Sequence, residues 1–292
     1  MQSLATLHRQ VAFGEANLLN VGGFYTGADG MLRLRFQGIA DMIDIDFALV
    51  EPNGAALAED FAGNAAGVAW QSAAAVLGPT QVIQRTVGTL NEVYTPAAGY
   101  QDTDTDITLP QVEARILFNL GALQLEMSGG WLEFENVAID GTGAEREYDI
   151  DAWVVAFGIK YAMGPFSFKG NIHSGENNSY LGQWVYDDAV ATYDAANDSI
   201  IDSDRWGWSA VMGFKLNDML SFEAGYAEAE METNVVGDFD DEVSSYYVQA
   251  VIAPTAGVLI IPEIGERDYD DDTTGADEGD TFYFGACWKI SF

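Results

Sequence analysis

The chain closes with Thr281-Phe282-Tyr283-Phe284-Gly285-Ala286-Cys287-Trp288-Lys289-Ile290-Ser291-Phe292. Taken two residues at a time, Phe282, Phe284, Ala286, Trp288, Ile290 and Phe292 share one face. Tyr283, Gly285, Cys287, Lys289 and Ser291 share the other. Such alternation marks a strand with two unlike faces. Its length matches the ~9–11 residues a tilted strand needs to cross a bilayer.

The same period recurs upstream. Leu32, Leu34 and Phe36 alternate with Arg33 and Arg35, and Ile43, Ile45, Phe47 and Leu49 with Asp44 and Asp46. Val112 to Leu120 sets apolar residues against Gln111, Glu113, Arg115 and Asn119, and Leu123, Leu125 and Met127 alternate with Gln124, Glu126 and Ser128. Further segments begin at Trp153, Phe166, Trp206, Leu220 and Tyr246, and the stretch from Gly257 to Glu266 is a weaker strand. Pro262 in that stretch suits a strand end or a bulge, because proline cannot donate to a ladder.

The connections alternate as strictly as the strands. Short ones fall near Ile39–Met42, Leu120–Ala122, Ala162–Pro165, Asn217–Met219 and Pro254–Gly257. Long ones lie between them at Val50–Pro110, Glu135–Glu147, Gly175–Ser203, Thr233–Val243 and Arg267–Asp280. A membrane barrel has this asymmetry, with short periplasmic turns and long external loops. The last strand therefore descends from outside, and Phe292 is expected at the periplasmic end. Eleven segments are readable, and an even number requires another before Met31, within Gln10–Tyr25. The expected fold is an all-β, antiparallel, up-and-down transmembrane barrel of about 12–16 strands, one domain over residues 1–292. The connection 50–110 is too long for an empty loop. It reads either as a constriction loop folded into the lumen or as an extra hairpin.

Composition narrows the function. The 292 residues carry 46 acids against 12 bases, a net charge of −34. That excludes nucleic acid as a partner, which needs clustered Lys and Arg. No run approaches the ~20 apolar residues of a membrane helix, so only a closed barrel could satisfy the backbone in lipid. One cysteine, Cys287, excludes an internal disulfide. Met1 to Leu19 lacks a clean apolar segment, which reads as a mature or truncated chain, or as a protein that is not exported.

The segment Tyr283 to Phe292 resembles the closing strand of Gram-negative porins, and Tyr148-Asp149-Ile150-Asp151-Ala152-Trp153 with the repeated hairpins is similar to them too. The resemblance covers about Met31 to the end, with a gap at Val50–Pro110. It implies that Phe292, Trp288 and Ile290 form the signal read by the assembly machinery. It also implies a homotrimer in a bilayer with lipopolysaccharide, and opposed acidic and basic walls at a constriction.

A pore needs its charges inside, since Lys or Arg facing lipid at the midplane costs ~2–4 kcal/mol. Arg33, Arg35, Arg115, Lys160, Lys169, Arg205 and Lys215, with Asp44, Asp46, Glu113, Glu126 and Glu223, fall on the polar parity and are the expected pore lining. Ordinary ion pairs on a solvated sandwich face would give the same parity. Trp153, Tyr161, Trp206, Trp208, Tyr226, Tyr246, Phe282 and Trp288 are candidates for aromatic girdles. The acidic runs at 102–106, 187–188, 238–241 and 268–272 are assigned to external loops. There they would gather cations at the mouth or weakly bind Ca²⁺ or Mg²⁺; none has the full spacing of a calcium loop. No cofactor and no catalytic residue is expected.

The expectation is thus an outer-membrane diffusion channel for small hydrophilic solutes and ions, with cation preference drawn from the net charge. The rivals are a barrel enzyme such as a lipase or protease, for which His173 and Ser174 are the candidate pair, an adhesin, and a soluble β-sandwich binding module.

Overall fold

The computed structural model describes residues 31–51, 83–87, 90–94, 101–107, 109–139, 145–181, 189–194, 199–233, 241–271 and 277–291. The N-terminal half of the sheet uses β1 (Met31–Ile39), β2 (Ile43–Val50), β6 (Gln111–Leu120), β7 (Leu123–Ile139), β8 (Glu145–Met163) and β9 (Phe166–Glu176). The C-terminal half uses β12 (Ser203–Lys215), β13 (Leu220–Thr233), β14 (Asp241–Thr255), β15 (Val258–Asp271) and β16 (Asp277–Ile290). These eleven strands pair in that order, each antiparallel to the next.

They coincide with the eleven segments of period-two alternation. The connection after β2 contains a separate hairpin, β3 (Ile83–Val87) with β4 (Leu90–Tyr94). It also contains β5 (Gln101–Asp106), which pairs with the far end of β7. The rest of the connection 50–110, and the strand expected within Gln10–Tyr25, lie outside the described residues.

The polarity of this sheet is the reverse of a soluble core. Phe284 is 81% exposed and Trp288 72%, whereas Asp46 is 0% and Arg115 7% exposed. In water such an exterior would drive aggregation, whereas in hydrocarbon it is the favourable arrangement. The soluble-sandwich reading fails here, because it needs the greasy parity inside.

The turns set the register. Gly121, Gly164 and Gly257 take φ of +73°, +58° and +80°, values that cost a Cβ-bearing residue but not glycine. At the other end, β7 runs for 17 residues and β8 for 19, well beyond the ~9–11 needed for a span. Much of what the sequence presents as loop is therefore strand continued past the membrane. Asp268, Asp270 and Asp271 lie within β15, and Asp241 opens β14 on the inward face.

Pro262 corrects the expectation of a strand end or bulge, because it sits inside β15 opposite Ala286 of β16 in unbroken register. The ladder to β14 omits the pairs Ala250–Pro262 and Val251–Ile261 while keeping register on both sides of them. The missing N–H removes a rung without shifting the strand.

Candidate pore lining

Several outward rows begin apolar and aromatic and end in an acid. On β16 the order is Ile290, Trp288, Ala286, Phe284, Phe282, Asp280; on β12 it is Phe214, Met212, Ala210, Trp208, Trp206, Asp204. Trp131 joins this girdle directly opposite Trp153. The alternation begun at Leu123 predicts Trp131 as outward, had the strand been continued. Girdle aromatics donate upward to carboxylates: Trp206 Nε1 to Glu230 Oε2 at 2.8 Å, Tyr226 Oη to Glu228 Oε2 at 2.9 Å, and Tyr246 Oη to Glu266 Oε2 at 2.7 Å. An apolar ring with a polar tip belongs at such an interface.

On the inward face, Asp46 is the hub. Arg33 Nη2 and Arg35 Nε reach its Oδ1 at 3.0 and 2.6 Å, and Arg115 Nη2 reaches Oδ2 at 2.8 Å. Arg115 also approaches Glu126 Oε2 at 3.3 Å. The register Arg35–Asp46–Arg115–Ser128 across β1, β2, β6 and β7 brings these residues into one row. Removing Asp46 or Arg115, both buried, costs about 3–5 kcal/mol, because a buried charge is left without its counterpart.

A second cluster centres on Glu223 of β13. Lys169 Nζ lies 2.9 Å from its Oε2, Gln249 Nε2 donates to Oε1 at 2.8 Å, and Tyr247 Oη donates to Oε1 as well. Tyr247 lies flat over Gly225, where a Cβ would collide with its ring. Nearby, Tyr283 Oη donates to Glu263 Oε1 at 3.0 Å and covers Gly265. Tyr247, Gln249 and Tyr283 are neutral lining residues that charge alone does not select, and Glu263 is an acidic one missed in the weakly alternating stretch; parity was legible there, but the neutral residues' role was not.

The remaining candidates are also on this face. Gln111 Nε2 donates to Glu113 Oε1 at 2.8 Å. Asp44 accepts from Gly38 N at 2.8 Å, and Lys215 pairs with Asp218 at 2.7 Å by the periplasmic turn. Lys160 faces Lys169 across β8 and β9. Arg205 stands higher, its Nη1 3.5 Å from Ser179 Oγ. Acids and bases therefore meet as neighbours along the wall. That corrects the expectation of opposed acidic and basic walls, since the register sets Asp46 directly between Arg35 and Arg115, and Lys169 reaches Glu223 across one intervening strand. Phe292 lies outside the described residues; Trp288 and Ile290 face outward.

The largest departure from the sequence reading is the connection between β9 and β12. At Asn177, φ +47° turns the chain inward. Its Nδ2 donates to Asp151 O and Asp202 Oδ1 at 2.9 and 2.8 Å, and its Oδ1 accepts from Ser203 N at 3.1 Å. A single 3₁₀ turn, Asn178–Leu181, follows, and later a short hairpin of β10 (Thr192–Asp194) with β11 (Ser199–Ile201). Tyr180, Leu181 and Ala191 pack against Ala48, Val50, Leu132, Phe134, Ile150, Ala152 and Val154 on the inward face of β2, β7 and β8. Phe134 meets Tyr180 edge-on at 5.0 Å, and Gln111 Nε2 holds Leu181 O at 3.2 Å. One wall of the outer lumen is thus dry. A clue lay in inward parity that turns apolar above Ser128, at Leu132 and Phe134.

His173 is inward and buried while its neighbour Ser174 points outward. They stand on opposite faces of β9 and cannot act as base and nucleophile.

No protein-family model matches the chain, and no curated protein matches it. Among solved structures, the outer membrane channel DcaP of Acinetobacter baumannii superposes with a TM-score of 0.63 at 12% identity, over 99% of this chain and 70% of that one. A loop-deletion mutant of OmpT, an outer membrane protein of Vibrio cholerae, superposes with a TM-score of 0.52 at 13% identity, over 97% of this chain and 69% of that one. At such identities the likeness concerns the fold. The chain is a β-barrel of the bacterial outer-membrane type.

Proposed function

We propose that this barrel is a passive diffusion channel for small hydrophilic solutes and ions. The carrying observation is the inverted polarity: a lipid-compatible exterior around an interior whose charged groups are paired yet partly wet. Arg33 and Arg35 keep 21% and 41% of their side-chain surface accessible. Selectivity in such a channel comes from width and wall charge, with no chemical step. The inward segment at Tyr180 and Leu181 narrows the outer half and confines the wet route to the remaining wall.

Planar-bilayer recording tests this. Purified protein is expected to give discrete conductance steps. Replacing both Tyr180 and Leu181 by Ser, which loosens the inward segment, is expected to raise the unit conductance. Membranes that stay silent with correctly inserted protein would refute the channel.

A further inference from the structure

The net charge of −34 is not distributed evenly across the wall. Nine of the twelve bases have described side chains: Arg33, Arg35, Arg115, Lys160, Lys169, Arg205, Lys215, Arg267 and Lys289. All nine stand on the inward parity of their strands. Above the girdle the outward parity carries acids and, among the described residues, no base. Those acids face one another across strands as Glu133 and Asp151, Glu135 and Asp149, Glu230 and Glu242, and Asp268 and Asp280.

Exposure divides the inward charges further. Of the inward acids whose side chains are described, Asp46, Glu113, Glu126, Asp241 and Glu263 are buried, leaving Asp44 and Glu223 accessible. Of the inward bases only Arg115 and Arg205 are buried. Asp46 lies beneath the three guanidiniums that bind it, so what solvent meets there is arginine. Lys160 stands opposite Lys169 across β8 and β9. Glu223 holds the Lys169 ammonium at 2.9 Å, so the exposed Lys160 is the positive charge that solvent meets there.

We infer that the lumen passes small anions in preference to cations, and that Arg33, Arg35 and Lys160 set that preference. The inference rests on the channel reading above. A guanidinium offers two parallel donors to a carboxylate or phosphate, and a lysine a compact point charge to any anion. The outer acids act only weakly on the lumen. They lie on the other side of the wall and above the membrane, and mobile ions screen exposed charges beyond about 10 Å at 0.1 M salt. The cation preference expected from net charge is therefore replaced by its opposite.

The test is the reversal potential of the inserted full chain in a KCl gradient. Wild type is expected to favour chloride. The double variant Arg33→Gln/Arg35→Gln is expected to shift the reversal potential toward the potassium side. Lys160→Gln, whose exposed side chain forms no ion pair with any described residue and so leaves the fold undisturbed, is expected to shift it the same way. Glu230→Gln/Glu242→Gln/Asp268→Asn/Asp280→Asn, on the outer wall, is expected to leave it unchanged. A cation-selective wild type overturns the inference while leaving the channel intact. So does an outer-wall variant that shifts the potential as far as the arginine variant. Absence of conductance refutes both.

Discussion

Asn177 shows how much one side chain organises. Its positive φ costs most residues strain, and asparagine tolerates it because its short amide bonds locally. Here the amide ties the end of β9 to Asp151 and to Asp202 and Ser203 at the start of β12. It therefore holds both stems of the segment that enters the lumen. Asn177→Ala loses those bonds and leaves partners unsatisfied, at roughly 1–3 kcal/mol. The expected outcome is a lower midpoint in urea unfolding of the vesicle-inserted protein. An unchanged midpoint would mean that the Tyr180–Leu181 packing alone fixes the segment.

At the scale of elements, the extensions of β12 to β16 are limited by their own charge. Burial first, and then Glu228, Asp270, Glu230 and Asp268, hold the Glu242 carboxyl above its usual range. Asp268 is raised first by its hydrogen bond with Asp280 and then by burial and the neighbouring carboxylates. With both groups raised in the folded state, the native protein keeps protons that the unfolded chain has lost. Stability therefore falls as pH climbs above the unfolded values of about 4. Glu242→Gln and Asp268→Asn are expected to raise the neutral-pH unfolding midpoint and to change it little at about pH 3. Added salt should narrow the difference by screening. Equal effects at both pH values would assign the gain to something other than charge relief. Trp206, Tyr226 and Tyr246 fit the same account, since each donates a hydrogen bond to a carboxylate of this acidic belt.

At the scale of the whole molecule, five of the seven tryptophans are described, and Trp131, Trp153, Trp206, Trp208 and Trp288 all stand on the outward parity. Lipids brominated along their acyl chains should quench most of the fluorescence of the inserted protein. A water-facing exterior would leave it bright. The outward acids, the girdle and the apolar belt together form a protein whose large negative charge lies beyond the membrane, with its bases turned inward.

The amino-acid sequence by itself determined the strands, their faces and their direction. A period of two is a local property, imposed by lipid on one side and water on the other, so Leu32 to Phe36 or Phe282 to Ile290 declare it without any neighbour. Short and long connections likewise record which end is which. Tertiary structure alone decided three things. It carried β7, β8 and β15 past the membrane, because charged residues stop a bilayer span but not a hydrogen-bonded ladder. It turned the β9–β12 connection inward, where Tyr180 and Leu181 found apolar partners from strands far away in the chain. It also set which charges meet water: burial of Asp46 beneath Arg33, Arg35 and Arg115 depends on register across three strands, and composition sums charges without regard to the wall between them.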